Sequence, residues 1–583
     1  MQPIPPLLKF GLMCHAPILP AWQVSSLQQA LAIQGVELSV VIINSISNSV
    51  LPAAPTAGSA GAFSLWSSVQ KRLASKLAAL LPTSIEKLVA EIPQVFGKPA
   101  NNKDNSYSYD LSDREKIKSL GLDFIICFES GCEAVSLQDC SRRGIWYFRF
   151  GRGDSRSAPP GFWEIYRNEP KTSGSLRCAN PGGDREIVLR EGDFKTITGS
   201  YSTNLSQLVQ ESSRWFGQAC KDLLNGVERV EPTTGITAES PRRGEPDNLQ
   251  CLIFYLRLKR NKLRNWFNNL FLHRHWGLAL SFSPVQELWQ NPESAKVAFL
   301  PVPSRDTFHA DPCGMAHEEG LAILHEKWNG TRGLGEISGF SLGRAALAEL
   351  ERTAYPGKPP DKPANVAATV PFKVNLEFPH HCSYPYVFRH QDQYFCIPET
   401  GEAAKVSLYR CAGHPGKWVF VTDIITEFAA IDSTIVHFAG KWWLFCTREE
   451  DHPDSHLYLW YADELTGPWR QHQNNPVKMN IGSARPAGTP FELDGQLYRP
   501  AQDCSRNYGG SISIQKITSL TPTSFSEQPG ADLQGLTEFL QVDGMHTLSR
   551  VGDLTLLDYY RHTFLPSILM YRLKRYLHAR QQQ

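Results

Sequence analysis

The sequence predicts two folds in series: an α/β domain with a mostly parallel sheet over residues 1–225, and an all-β five-bladed propeller over 277–583. Three observations carry this. A chain of 583 residues is too long for a single hydrophobic core. Short apolar runs alternate with amphipathic helical ones in the first third, the order that builds a parallel sheet with covering helices. A strand–turn–strand phrase then recurs five times between 309 and 561, as repeated blades would require.

In the first part, "LKFGLMC" reads as a buried strand, "AWQVSSLQQALAIQG" as an amphipathic helix stopped at Gly35, and "VELSVVIIN" as a second strand. "SDREKIKSLG" followed by "LDFIICFES" repeats the helix-then-strand order. The Ala/Pro/Gly/Ser-rich stretch 51–62 and the polar stretch 101–110 are expected loops. Residues 226–276 read as a Pro/Gly/charged linker (226–250) leading into a basic helix (254–276). On that helix Leu256, Leu263, Phe267 and Leu270 share a face, and Arg257, Lys259, Arg260, Lys262 and Arg264 crowd the rest. Such a helix either packs between domains with its charges in water or lies on an anionic membrane surface. The tail 567–583 has the same character.

Composition removes several function classes. With 59 basic and 58 acidic residues the chain has no global field to recruit nucleic acid. No run of apolar residues is long enough to span a bilayer, and the N-terminus lacks the charged and apolar regions of a signal peptide. The 13 cysteines are scattered and include no CxxC pair, so they are expected to be reduced thiols, with neither a disulfide framework nor a structural zinc site. The expected location is cytoplasmic, with peripheral contact at the inner membrane face through 254–276.

The five phrases begin at 309, 383, 432, 483 and 542. Each has a polar or small start, a strand, a turn containing Gly or Asp, and an aromatic-rich second strand. The widest gap holds a helical insertion at 342–363. Because the leading strand of every propeller blade lines the central channel, residues distant in sequence converge there. The candidates are Asp311, Ser383 with Tyr384, Asp432, Arg485, and Asp543 or His546. Glu399, Arg448 and Glu449 end inner strands. Asp503, Arg506 and Tyr508 sit in a turn able to reach the channel mouth, where Tyr508 could stack on a sugar.

Two resemblances add to this. The segment "DFIICFES…" through "…GSLRC" (123–178) is similar to the N-terminal domain of the formyltransferase family, over roughly 7–225. That family places an Asn and a His after a glycine, but here Trp146 and Phe148 follow Gly144. An indole and a phenyl ring can neither activate an amine nor hold an oxyanion, so formyl transfer loses its chemistry. From 277 to 565 the chain resembles the arabinanase, levansucrase and invertase group of five-bladed glycosidases. The phrases "SYPYVF", "IPE", "LYR", "WWLF" and "DGMHTL" also resemble the propeller of glucosamine inositolphosphorylceramide transferases.

By position, the glycosidase resemblance makes Asp311 the base and Asp432 the carboxylate that tunes the acid. The acid itself should come from the fourth blade, which offers Arg485. A guanidinium cannot donate a proton near neutral pH, but it binds phosphate bidentately. Hydrolysis of a neutral glycoside therefore loses its acid, whereas an anionic leaving group needs none. Catalytic roles are expected for Asp311, Asp432 and Arg485, with His546 helping to steady a departing phosphate. The function expected is glycosyl transfer from a sugar nucleotide or phosphosugar to a glycan or lipid-linked acceptor in cell-surface glycan or glycolipid assembly. A glycoside phosphorylase or hydrolase is the chemical neighbour. The rivals are an amino-sugar N-formyltransferase, the only case needing reduced folate, and a non-catalytic carbohydrate-binding protein in which Arg485 merely balances Asp432. No metal or other cofactor is required by the sequence.

Overall fold

The computed structural model of the protein describes residues 7–44, 77–99, 107–128, 137–151, 159–180, 186–227, 246–301, 307–329, 333–354 and 369–564. The loop expected at 51–62, residues 101–106 of the loop expected at 101–110, most of the linker and the basic tail lie outside them; within 101–110, Tyr107–Ser108 is a short strand paired with Lys98–Pro99. The chain divides into two compact units, Met1–Asn265 and Trp266–Gln583.

Unit 1 is built on a seven-stranded sheet. Its order runs Glu186–Lys195, Lys171–Ala179, Ile145–Phe150, Phe124–Cys127, Leu8–Cys14, Val36–Ile43 and Gln94–Phe96. The five strands from Ile145–Phe150 to Gln94–Phe96 pair in parallel, and the two remaining ones add antiparallel. Helices at Ala21–Leu31, Leu111–Ser119, Tyr201–Ser212 and Trp215–Leu224 complete the α/β order expected from the alternating pattern. Aromatic rings dominate the core: Phe124 stacks on Trp146 at 3.7 Å, and Phe216 meets both rings edge-on. Among the described residues eleven cysteines are free thiols, ten of them buried. Cys127 corrects the all-reduced expectation, because it is disulfide-bonded.

The long helix spans Asn248–Phe271, starting earlier and stopping sooner than the expected 254–276. Strand Leu272–Ser281 follows at once. Its ten residues pair antiparallel with the last strand of the propeller, Leu272 opposite Phe564 through Ser281 opposite Thr555, and that ladder outweighs the helical pattern of 272–276.

Unit 2 is an all-β five-bladed propeller. Blade 1 comprises Thr307–His317, Gly320–Asn329, Leu334–Gly343 and Thr369–Phe372. Blade 2 comprises Ser383–His390, Gln393–Glu399, Lys405–Cys411 and Trp418–Thr426. Blade 3 runs Ala430–Phe438, Lys441–Arg448, His456–Ala462 and Arg470–Gln471, and blade 4 runs Phe491–Leu493, Gln496–Asp503, Ser511–Leu520 and Phe525–Asp532. Blade 5 joins Leu548–Val551 and Leu554–Phe564 to Leu272–Ser281 and Val297–Phe299, so the two ends of the unit close the ring in one sheet. Part of the expected insertion in blade 1 is helix Arg344–Thr353. Blades 4 and 5 approach closely at Gly488, where φ is +113° and a Cβ would lie 1.8 Å from the Leu548 carbonyl oxygen. Only glycine fits that contact.

Candidate functional site

Three blades carry the same local irregularity on their leading strand. The register breaks between Ala310 and Cys313, between Ser383 and Tyr386, and between Ile431 and Thr434. Inside each break sits a residue with left-handed backbone: Asp311 at φ 52°, Tyr384 at 40° and Asp432 at 50°. A side-chain-bearing residue adopts this conformation only at a cost of about 1–3 kcal/mol, so the surroundings must hold it there.

The holding groups are carboxylates on the second strands. Asp558 Oδ2 of blade 5 accepts from the Asp311 N–H of blade 1 at 3.0 Å. Glu399 Oε2 of blade 2 accepts from the Asp432 N–H of blade 3 at 2.7 Å, while its Oε1 accepts from Ser383 Oγ at 3.0 Å. Blade 5 thus fixes the bulge of blade 1, and blade 2 fixes that of blade 3. The backbone bulge in turn pushes the side chain of its residue out of the alternating strand pattern.

Two linked clusters result. In the first, Asp432 Oδ2 accepts from Arg485 Nε at 2.6 Å and from Gln502 Nε2 at 2.8 Å. Arg485 also donates from Nη1 to Asp454 at 3.0 Å and from Nη2 to the Tyr508 hydroxyl at 3.4 Å, with its guanidinium carbon 5.0 Å from the Tyr508 ring centre. In the second, Asp311 Oδ1 accepts from Thr547 Oγ1 at 2.8 Å and lies 3.5 Å from His546 Nε2. His546 Nδ1 is 2.6 Å from Asp558 Oδ2, and its ring stacks on Trp276 at 4.0 Å. Tyr508 joins the two, meeting the His546 ring edge-on at 5.4 Å. The open rim is formed by Asp454, 39% exposed at its side chain, and half-buried Tyr508.

Burial sets the charges. It pushes Asp311 up to about 6, against the field of His546 and with that of Asp558. It pushes Asp432 up to about 7, opposed by Arg485 and reinforced by Glu399. Burial works against a charge on His546, but Asp558 and Asp311 outweigh it and raise that group. Asp558 is lowered although buried, because His546 and the N–H groups of His546 and Asp311 stabilise its charge. Glu326 is raised well above the usual carboxylate range by burial and by Asp311.

Asp311, His546 and Asp558 bring three donor atoms within 4.8 Å of one another, a set that could ligate a metal ion. The carboxylate oxygens of Asp558 are already engaged. Asp558 Oδ1 accepts from the N–H groups of His546 and Thr547, and Oδ2 accepts from Asp311 and faces His546. The raised His546 favours the charged form there, between Asp558 and Asp311.

The structure brings together Asp311, Tyr384, Glu399, Asp432, Arg485, Tyr508 and His546, with the Tyr384 hydroxyl 3.0 Å from Thr434 Oγ1. Other candidates point to different tasks. Arg448 pairs with Glu450 at 3.0 Å and lies over Phe428, and Glu449 is exposed. Asp503 accepts from the Ser505 N–H at 2.9 Å in a local turn, and Arg506 is exposed. Asp543 is exposed and accepts from the His562 N–H at 2.6 Å. Sequence reasoning missed Asp558, Gln502, Glu326, Asp454 and Trp276. A signal for one of the missed positions was available: Glu326, Glu399 and Thr447 each stand fifteen residues after Asp311, Tyr384 and Asp432. Gln502 and Asp558 lie on the matching strands at other spacings.

Fold and site together define a bipartite protein: an α/β unit joined to a five-bladed propeller whose blades gather buried carboxylates, an arginine and a histidine. The propeller is related to a particular transferase group. Residues 363–533 match the family described as glucosamine inositolphosphorylceramide transferase 1, N-terminal. A relative of that name from Oryza sativa subsp. japonica is 35% identical over 161 residues, which are 27% of this chain and 22% of the relative. The chain thus spans about a fifth of the length of that relative. Asp432, Arg485 and Tyr508 fall inside the matched segment; Asp311 and His546 fall outside it. Among solved structures, the catalytic domain of a Coprinopsis cinerea GH62 α-L-arabinofuranosidase is similar over 45% of this chain and 94% of its own, at 12% identity and TM-score 0.32. A 4-N formyltransferase from Francisella tularensis is a weak match over 43% of this chain and 87% of its own, at 11% identity and TM-score 0.25.

Proposed function

We propose that the protein is a glycosyltransferase whose propeller binds a sugar carrying a phosphate leaving group, from a sugar nucleotide or phosphosugar, and passes the sugar to a glycan or lipid-linked acceptor. The observation that carries this reading is Arg485, set among carboxylates at the blade position where hydrolysis would call for an acid. Its contacts with Asp432, Asp454 and Tyr508 use three of its five N–H groups, which leaves two for phosphate oxygens. Asp311, raised towards neutrality, is the group suited to take the proton of an acceptor hydroxyl. His546 beside it, whose charged form is favoured by Asp558 and Asp311, can offset negative charge, and Tyr508 offers a ring face to a sugar. The relatedness to glucosamine inositolphosphorylceramide transferases supports a carbohydrate-active transferase class.

The test is turnover of a panel of sugar nucleotides and sugar 1-phosphates with glycan and glycolipid acceptors. Asp311→Asn should retain donor binding and lose transfer. Donor binding that is absent from the wild-type protein would overturn the reading and leave a carbohydrate-binding propeller.

The formyl-transfer alternative finds no support in unit 1. Trp146 and Phe148, which stand where that chemistry needs Asn and His, are 1% and 3% exposed and belong to the aromatic core.

A further inference from the structure

The helix Asn248–Phe271 is seated on unit 1 by one narrow face. Cys251, Phe254 and Asn261 are its buried residues. Phe254 stacks on Phe162 at 4.3 Å, and Asn261 Nδ2 lies 3.3 Å from Asn168 Oδ1. Arg257 donates to the Tyr166 carbonyl oxygen and covers its ring at 4.4 Å. These contacts fix which side of the helix faces outward.

That outward side is apolar. Leu249, Leu252, Leu256, Leu263 and Phe267 repeat at helical spacing opposite the seated face, and Tyr255 and Trp266 border them; all seven are 45–65% exposed. Exposed Lys259, Arg260, Lys262 and Arg264 lie within and beside the stripe, and residues 248–271 contain no Asp or Glu.

We propose that this helix is a docking surface for an anionic phospholipid bilayer, lying in the plane of the interface with its leucine stripe among the acyl chains. Lys259 decides between a bilayer and a protein partner. It sits in the middle of the stripe with its Nζ 5.3 Å from the Tyr255 ring centre. A packed helix–helix contact would bury that charge with no acid of this helix to meet it. At a bilayer a lysine stem lies along the apolar layer while the ammonium reaches the phosphates. Tyr and Trp at the border suit the headgroup level for the same reason, a ring with one polar edge. Arg257, whose guanidinium is already spent on Tyr166, belongs to the scaffold and is not counted among the lipid contacts. The proposal is independent of the chemistry in the propeller and goes beyond it.

The experiment is co-sedimentation of the full chain with vesicles of phosphatidylcholine alone and of mixed phosphatidylcholine and phosphatidylserine. Wild-type protein should bind the mixed vesicles, should not bind the neutral ones, and should be released by salt. Changing Lys259, Arg260 and Lys262 together to Gln should weaken binding by roughly a hundredfold, about fivefold for each charge. Leu252→Gln with Leu256→Gln and Leu263→Gln should also abolish it. Arg260→Lys, which keeps the charge, should bind as wild type. Circular dichroism and the melting temperature should be unchanged in every variant, since none of these side chains is seated. Failure of the wild type to bind mixed vesicles, or equal binding to neutral ones, overturns the proposal. So does a wild-type dimer that the leucine variant converts to monomer without vesicle binding, because the stripe would then be an interface between copies.

Discussion

Arg485 Nε and Asp432 Oδ2 lie 2.6 Å apart, across two blades and 53 residues of sequence. The same guanidinium reaches Asp454 and the Tyr508 hydroxyl, so one cation answers two carboxylates and keeps two further N–H groups. Arg485→Met should therefore strand Asp432 as an unpaired buried charge and cost about 3–5 kcal/mol in denaturant unfolding. Asp432→Asn added to it should restore much of that loss. The double variant should nevertheless fail to bind a sugar nucleotide, and Arg485→Lys should weaken binding by about 1–3 kcal/mol through loss of the two-pronged geometry. Normal donor binding by the refolded double variant would make Arg485 a scaffold residue only.

The Asp311 cluster should give stability a definite slope with pH. Its carboxyl is held up to about 6, above the value near 4 of an unfolded chain. Between those values the unfolded chain ionises while the folded one keeps its proton, so this group's contribution is present below pH 4 and is lost as pH rises to 6. Asp311→Asn should flatten that part of the curve, a difference of up to about 3 kcal/mol in urea unfolding across the window. An unchanged slope would show that the Asp311 carboxyl titrates alike in the folded and unfolded chain.

Asp558 should be the most costly single carboxylate to neutralise. It takes the N–H groups of Asp311, His546 and Thr547 and the charge of His546. Asp558→Asn should destabilise the protein by about 3–5 kcal/mol, because it leaves a raised buried histidine without its counter-charge. Its sign with pH is opposite to that of Asp311. The group is lowered in the fold, so its support is present above pH 4 and is lost as pH falls through its folded value. Guanidinium titrations at pH 7 check the size, and a series taken downward from pH 4 checks the direction.

Glu399 is predicted to act through Asp432. Glu399→Gln keeps the shape but turns one acceptor into a donor facing either the Asp432 N–H or Ser383 Oγ. A loss of about 1–3 kcal/mol is expected in thermal or denaturant unfolding. In an Asp432→Gly background the additional loss from Glu399→Gln should be smaller, since glycine adopts a φ of 50° without support.

Unit 1 should transfer no formyl group from 10-formyltetrahydrofolate to any amino sugar. Restoring the missing pair by Trp146→Asn and Phe148→His should lower stability by several kcal/mol rather than create activity, since both rings fill the core. Formylation by the wild-type chain would defeat this, and a stable, active double variant would show that the cleft survives.

How much of this was legible in the chain depends on the range of the interactions. Alternation of apolar and polar residues is a local property, so the parallel α/β order and the five repeated phrases could be read directly, along with the convergence of Asp311, Asp432 and Arg485. Helix Asn248–Phe271 was visible for the same reason, but its end was not. Residues 272–276 continue the helical pattern and become strand because Phe564 and its neighbours, nearly three hundred residues away, offer a ladder. Likewise, nothing near Asp311 in sequence announces Asp558, whose carboxylate holds it from the adjoining blade. Asp543 and His546 looked equivalent as polar residues of one phrase. The backbone turns His546 into the cluster and leaves Asp543 exposed on His562. Periodicity tells which face of an element is apolar, but side-chain partnership across blades depends on ring closure and bulge geometry, and only the folded chain supplies these.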